Sequence, residues 1–303
     1  MISMTRGDRR APDVPASVER DSAILARSHV ARLDLASARQ PLAPLFCLAL
    51  LCAALLGFNP VAARADAAPA VSLDAAIARY RSQLVQDVDR TIAGIQRLRA
   101  GVVADDLAAA KQAWIEARAG WERSEVFTGS FVPELDRAID AWPNGATGFH
   151  AIEAKLFGAG STDVVAEVDA MLHSLTDLAA AARTIALTPQ GLLNGVARLA
   201  YEVGESKADG GESRISGTSI DDMRNNVDGI ELAYGTIFAA AVESRDRDLH
   251  ATARRQIDDL KTMLAQRDLR QLEPERLRAV SEELVLTLET AASRIDLQRP
   301  ALE

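Results

Sequence analysis

The sequence predicts an all-α protein built from two antiparallel helix bundles along a shared axis. Between residues 72 and 295, apolar residues recur three or four positions apart, which is the spacing of one face of an α-helix. This region lacks the strict alternation of apolar and polar residues that is typical of a half-buried strand. The connections between the periodic segments are short, and short connections favour antiparallel packing of neighbouring helices.

The first 65 residues are predicted to be a secretory leader. An uncharged apolar run from Leu42 to Phe58 precedes Ala63-Arg64-Ala65, which matches an A-x-A cleavage signal. We therefore expect a signal-peptide region with an extended n-region at residues 1–65. The mature helical domain would then comprise residues 66–303 and reside in the periplasm.

Cysteine usage and charge limit the kind of site that the mature region can carry. Cys47 and Cys52 both lie in the predicted leader, without the residues that precede a lipoprotein cysteine, which argues against a lipid anchor. Any metal must therefore be bound by nitrogen and oxygen donors.

The net charge of the mature region limits its partners. Residues 66–303 hold 26 Lys and Arg against 38 Asp and Glu, a net charge of −12. Such a chain repels DNA, RNA and anionic membranes, so no nucleic-acid partner is expected, and it suits the binding of cations.

Capping and breaking residues delimit the helices. Asp105 or Asp106 starts the second helix, and Thr188-Pro189 combines an N-cap with proline at the first helical position. Residues 219–222 resemble a capping box. In chain order, the predicted helices span about 72–99, 106–127, 149–157, 163–186, 189–206, 219–242, 246–267 and 274–294, and the connection between the second and third holds a short turn at 135–139.

Two pairs of residues at i,i+3 spacing are the first candidates for chemistry. His150 and Glu153 lie about 60° apart on one helix face, so an imidazole and a carboxylate point the same way. Glu122 and Glu125 form a second pair near the end of the second helix. Spacing alone also fits solvated surface pairs. However, Asp140 and other acids occupy the turn between the two pairs, so the groups could converge on one metal ion.

Other acidic groups have a plainer interpretation from their spacing. Glu202 and Glu205 on the fifth helix, and the acids and Asn226 at the start of the sixth, are read as caps and surface groups. No phosphate-binding glycine loop, nucleophile-elbow motif or His-Glu-x-x-His motif occurs in the sequence. These absences argue against the common nucleotide-binding, serine-hydrolase and zinc-protease classes.

Three motifs in order resemble a known family. An aromatic-Glu-x-x-Glu motif lies at 121–125, a Leu-Asp-x-x-Ile-Asp motif at 135–140 and a Gly-x-His-x-x-Glu motif at 148–153. The chain resembles the imelysin-like family, and most closely its EfeM/EfeO-type periplasmic iron-uptake proteins, in the short form without a cupredoxin domain. The resemblance spans essentially the whole mature region.

The resemblance implies a two-bundle helical fold with a metal site around the His-x-x-Glu motif, in a cleft between the bundles. By residue, it nominates His150 and Glu153 first, with further metal ligands among Glu122, Glu125, Asp140 and Glu202. The expected ligand is iron, with zinc as the alternative metal. The expected function is capture of iron in an EfeUOB-type uptake system. The expected partners are a membrane permease and a haem-peroxidase-type protein.

Two other functions remain open from the sequence. The family's peptidase label raises a metallopeptidase or other hydrolase, which would need an open metal position and a general base. A solute-binding module for haem or an acidic polysaccharide could use the same cleft. The residues favour a binding protein over an enzyme, because they provide spare carboxylates but no recognisable substrate-binding motif.

Overall fold

A computed structural model describes residues 72–141, 145–208, 212–266 and 268–302. Within these ranges the chain forms the α-helices α1 (Leu73–Val103), α2 (Leu107–Phe131), α3 (Pro133–Ile139), α4 (Gly148–Glu153), α5 (Val165–Thr184), α6 (Pro189–Glu205), α7 (Ser219–Ala233), α8 (Ala239–Arg245), α9 (Arg247–Met263) and α10 (Pro274–Arg294). No strand occurs in the described ranges, and the all-α prediction is confirmed. The predicted leader at residues 1–65 lies outside them. None of the described helices combines the length and the apolar character needed to span a membrane.

The helix boundaries agree with the capping residues at two positions. The Asp106 side chain accepts a hydrogen bond from the Ala109 N–H at the start of α2. Thr188 accepts one from the Gly191 N–H at the start of α6. Each contact pairs an N–H group that the first helical turn leaves without a partner.

Two helices continue through wider turns that periodicity did not predict. After α4 the chain passes into a π-helical turn at Ala154–Ala159, and after α7 into one at Tyr234–Phe238 that leads directly into α8. Both turns begin inside segments that were predicted as single helices, at about 149–157 and 219–242. Such turns are frequent near functional sites.

The helices pack as two groups that share α2. In the first group, α1 and α5 pack together and α1 packs on α2, with the short helices α3 and α4 also against α2 and α5. In the second group, α10 packs on α6 and α9, and α7 contacts α6 and α9. Because α2 also packs on α6 and α7, its side chains are enclosed on several faces. A charged side chain on the inner faces of α2 must therefore find its partners inside the protein.

Close approach between α2 and α6 depends on a glycine. A Cβ atom at Gly195 would lie 1.9 Å from the Val126 carbonyl oxygen, which is backbone and cannot rotate away. The two helices are thus nearer to each other than a larger residue permits. This contact holds the second group of helices against the end of α2 that carries Glu122 and Glu125.

We expect Gly195→Ala to reduce the free energy of unfolding by about 1–3 kcal/mol, because the added methyl group forces the helices apart. Gly235→Ala is the matched control, since a Cβ there meets only the Arg254 Nη1 atom, at 3.9 Å. The control should be neutral or slightly stabilising because alanine favours helix. Urea unfolding of both variants is the measurement. Equal stability of the two would contradict the proposed role of the close contact.

Candidate metal centre

The start of the His150 helix, α4, is fixed by a glycine and by a hydrogen bond from a buried tryptophan. Gly148 starts α4 with φ +72°, and a Cβ atom there would lie 2.1 Å from the Ile139 carbonyl oxygen. Only glycine fits this conformation and this spacing. The buried Trp114 indole donates a hydrogen bond to the Phe149 carbonyl oxygen at 3.1 Å. The start of α4 is therefore held against the end of α3, next to Asp140.

Both ring nitrogens of His150 contact carboxylates. Nε2 lies 3.1 Å from Asp140 Oδ1, and Nδ1 lies 3.2 Å from Glu153 Oε2. Asp140 also accepts a hydrogen bond from the Trp121 indole at 2.6 Å. The Ser216 backbone N–H donates to Glu153 Oε1 at 2.7 Å. His150 thus links α3, α4 and the connector before α7.

This environment retains a proton on the imidazole. Burial disfavours the charged ring, but the hydrogen bonds to Asp140 and Glu153 outweigh it and raise the pKa of His150 to about 9. Burial also opposes ionisation of Glu153, yet the contacts with His150 and Ser216 lower its pKa. The pKa of Asp140 is lowered too, because Arg118 and His150 overcome the effect of burial. The three groups form a charged triad in the protein without a metal.

Arg118 extends this triad towards the middle of α2. Its guanidinium is 1% exposed and lies over the Trp114 and Phe149 rings, 5.4 and 5.1 Å from their centroids. It pairs with Glu122 one helical turn away, and it lies 3.1 Å from Asp140 Oδ1. The same guanidinium reaches Asp222 Oδ1 on α7 at 3.1 Å. A single cation thereby joins three helices.

Lys207 neutralises the acids on the other side of Glu122. Its Nζ atom lies 3.0 Å from Glu122 Oε2, 3.1 Å from Glu125 Oε2 and 2.9 Å from Glu212 Oε2. Burial opposes the charged form of Lys207, but these carboxylates raise its pKa well above the usual range. Asn226 of α7 donates to the Oε2 atoms of Glu122 and Glu125 at 2.8 and 2.6 Å.

The buried acids outnumber the buried cations. We call the following six residues the acid cluster: Glu122, Glu125, Asp140, Glu153, Glu212 and Asp222. Arg118, Lys207 and protonated His150 supply three positive charges. Burial raises the pKa of Asp222 to about 7, and burial together with Glu122 raises the pKa of Glu125 well above its usual range. Burial also raises the pKa of Glu212. The cluster therefore carries exchangeable protons, which a metal cation could replace.

The structure brings most of the nominated residues together. Glu122, Glu125, Asp140, His150 and Glu153 all belong to one connected network. Glu202 pairs with Arg198 instead, and its side chain is 27% exposed. Among the described residues, no group of three or more His, Cys, Asp or Glu side chains is disposed to hold one ion. Metal binding would require these side chains to exchange some of their present partners.

The cap-and-surface interpretation is wrong for two residues of α7. Asp222 is 2% exposed and Asn226 is fully buried, because both face α2. Asp222 does not complete a capping box: it accepts a hydrogen bond from Ser213 and pairs with Arg118. Tertiary contacts therefore override the local signal.

Sequence reasoning also missed the two buried cations and Glu212. Arg118 stands between Trp114 and Trp121, one turn before Glu122, so a charge within an apolar stretch was an available signal. Lys207 and Glu212 occupy a polar connector, and no local pattern distinguishes them from surface groups.

Comparison with known proteins places these features in a family. The Imelysin (peptidase M75) family model matches residues 76–146 and 144–295. An Efem/EfeO family lipoprotein from Staphylococcus haemolyticus is 29% identical over 208 residues, covering 64% of this chain and 70% of the relative. The iron uptake system component EfeM of Pseudomonas syringae pv. syringae is 28% identical over 218 residues, covering 69% and 74%.

A solved structure supports the fold. The iron-regulated protein A precursor from Parabacteroides distasonis superposes with a TM-score of 0.55 at 18% identity, covering 75% of this chain and 92% of that one. At this level of identity, the likeness supports the helical fold alone.

We expect Arg118→Met to lower the free energy of unfolding by about 3–5 kcal/mol, because it leaves buried carboxylates without their shared cation. Arg97→Met is the matched control. It removes an exposed ion pair with Glu116, in which the Arg97 side chain is 56% exposed, and should cost at most about 1 kcal/mol. Urea unfolding at pH 7 compares them. A similar small loss in both variants would show that the Arg118 pairs do not stabilise the fold.

The His150 contacts predict a pH-dependent stability in the metal-free protein. The pKa of His150 is 6.5 when unperturbed and about 9 in the folded chain. The proton stabilises the fold in full below about pH 6.5, and this contribution is lost as pH rises through about 9. Its size is on the order of 3 kcal/mol.

In urea unfolding with chelator present, the stability advantage of the wild type over His150→Gln should therefore shrink between pH 6 and pH 10. His173→Gln serves as the control, because the His173 side chain is 83% exposed. A constant difference between wild type and His150→Gln across this range would contradict the raised pKa.

Proposed function

This chain belongs to the imelysin family, and from that premise we propose that it is an iron-binding protein of a bacterial iron-uptake system. In this proposal it captures iron outside the cytoplasm through His150 and Glu153 and delivers the ion to a membrane permease, with a haem-peroxidase-type protein as a further partner. Support comes from the relatives named for iron uptake and from the chemistry of the acid cluster.

The observation that carries the proposal is the pair of short contacts made by His150. Ligand bonds of about 2.1 Å at right angles place two adjacent ligand atoms about 3.0 Å apart. The His150 Nδ1 and Glu153 Oε2 atoms are 3.2 Å apart. Loss of the proton between them would leave a nitrogen and an oxygen at nearly the spacing of two ligands of one ion.

The other contacts favour Glu153 over Asp140 as the ligand. Asp140 already accepts hydrogen bonds from Trp121 and Arg118, besides its contact with His150 Nε2. Glu153 has the Ser216 N–H on one oxygen, and its second oxygen faces only the imidazole among the contacts described. We infer that Asp140 orients the ring by accepting its Nε2–H, as carboxylates commonly do beside metal-bound histidines.

Charge exchange explains how the site can accept a multivalent cation. At neutral pH His150 retains its proton, and the raised pKa values of Glu125 and Asp222 favour the protonated forms of these acids. An entering ion can displace these protons, so the charge inside the protein changes less than the charge of the ion suggests. Carboxylate oxygens and one imidazole suit iron, and zinc remains possible.

The degree of burial favours a binding protein over a hydrolase. His150 is 6% exposed and Glu153 is 1% exposed. A single ion can be enclosed at such a position, whereas a polypeptide substrate needs an open cleft beside the metal.

We also propose that residues 1–65 direct export and that the mature protein begins near Asp66. The relative from Staphylococcus haemolyticus is named a lipoprotein. In this chain Cys47 and Cys52 precede the proposed cleavage point, so the processed protein would carry no lipid on cysteine.

We expect His150→Ala and Glu153→Gln each to weaken binding of ferric or ferrous iron by more than about 100-fold, since loss of outer partners alone costs about 10- to 100-fold. Isothermal titration with ferric citrate, anaerobic ferrous iron and zinc is the measurement. His173→Ala, at an exposed position, should bind like the wild type. Unchanged affinity in both site variants, with circular dichroism showing intact helices, would mean that this stretch is only a packing element.

A further inference from the structure

A cage of carboxylates around Lys207 lies beyond the His150 end of the cluster. The ammonium group lies 2.9–3.1 Å from three carboxylate oxygens, one each from Glu122, Glu125 and Glu212, and donates hydrogen bonds to the first two. Lys207 itself is 2% exposed. Two of the acids lie on α2 and the third on the connector before α7, so the cage is assembled from separate parts of the fold.

Asn226 is built into the same cage. Its Nδ2 atom donates to the two Oε2 atoms that also face Lys207, and to the Glu122 carbonyl oxygen at 3.0 Å. Asn226 is fully buried, and within the described residues its Oδ1 atom has no hydrogen-bond partner. The amide therefore holds the two carboxylates in place with its nitrogen, and a half-turn of the amide would bring its buried oxygen to the cage instead.

Arg118 separates the cage from the His150 end. It pairs with Glu122 on one side and with Asp140 on the other. The guanidinium thus divides the cluster into two ends, and the Lys207 ammonium lies at the end away from His150. Carboxylate and amide oxygens of this kind also suit hard divalent cations such as Mn²⁺.

We propose that Lys207 determines how many metal ions the protein binds, because its ammonium is the resident cation of a second, all-oxygen cation position. With Lys207 in place, the acid cluster takes a single ion at the His150 end. Without it, Glu122, Glu125, Glu212 and Asn226 can bind a second ion. This inference rests on the proposed function of His150 and Glu153 as the site of the first ion.

The test counts Mn²⁺ ions bound per chain by equilibrium dialysis, with electron paramagnetic resonance reporting bound Mn²⁺. We expect one ion for the wild type, none for His150→Ala, two for Lys207→Met and one for the double variant with both changes. Lys155→Met is the matched control: it also removes one positive charge, but Lys155 pairs with Glu167 and its side chain is 43% exposed. This control should bind one ion.

The two proposals fail in different ways. If the wild type binds one ion and His150→Ala none, but folded Lys207→Met also binds only one, the inference about Lys207 is overturned and the proposed function stands. If Lys155→Met gains an ion as well, a general charge effect replaces the cage and the inference also fails. Wild type that binds no Mn²⁺ here and no iron or zinc in the isothermal titrations overturns the proposed function.

A second variant covers the case in which Lys207→Met does not fold. Lys207→Met combined with Glu125→Gln removes one positive and one negative charge, so the formal charge of the cage is kept. Two carboxylates and two amide oxygens remain, and we expect this variant to bind a second Mn²⁺ ion more weakly. A folded double variant that binds only one ion, even at millimolar Mn²⁺, would overturn the inference.

Discussion

Burial of more carboxylates than cations is the constraint on which the rest of the structure depends. The six residues of the acid cluster come from α2, from the end of α3, from α4, from α7 and from the connector before α7. Arg118 and Lys207 can balance only part of this charge, and protons balance more. The packing follows from this need. Helix α2 packs on both groups of helices, and from there its acids reach Arg118 on the same helix and Lys207 and Asn226 on other parts of the fold.

Stability alone does not explain such a cluster. Buried ion pairs often stabilise a fold no more than apolar residues of the same volume would, because desolvation offsets the attraction between the charges. The surroundings are nevertheless rigid: Trp114 and Trp121 are fully buried and donate hydrogen bonds to Phe149 and Asp140. A polar network held by a rigid apolar frame suits a site that must keep its donors in place while protons and metal exchange.

The helices and one side of the site could be predicted from the sequence because they depend on local features. The predictions that failed concern contacts between residues far apart in the sequence. Helical periodicity and the caps at Asp106 and Thr188 are local, and so is the common face of His150 and Glu153. The contact between Lys207 and Glu122 joins residues 85 positions apart, so no local pattern announces it. Asp222 shows the same limit. Its position near the start of α7 predicts a helix cap, but its carboxylate pairs with Arg118 and accepts a hydrogen bond from Ser213 instead.

The division of the cluster by Arg118 has a consequence for reversible binding. A carrier must release its ion, and an ion surrounded by every nearby carboxylate would be bound too tightly to leave. Glu122 is shared between Arg118 and Lys207, so these fixed cations withhold it from a metal at His150. The ion would then be bound mainly by His150 and Glu153, two groups that each have a proton or an N–H group as an alternative partner. Return of the proton to His150, whose pKa is about 9 without metal, favours release at neutral pH. If the proposed function holds, the same buried cations that keep the carboxylates in the core would also moderate the affinity of the site.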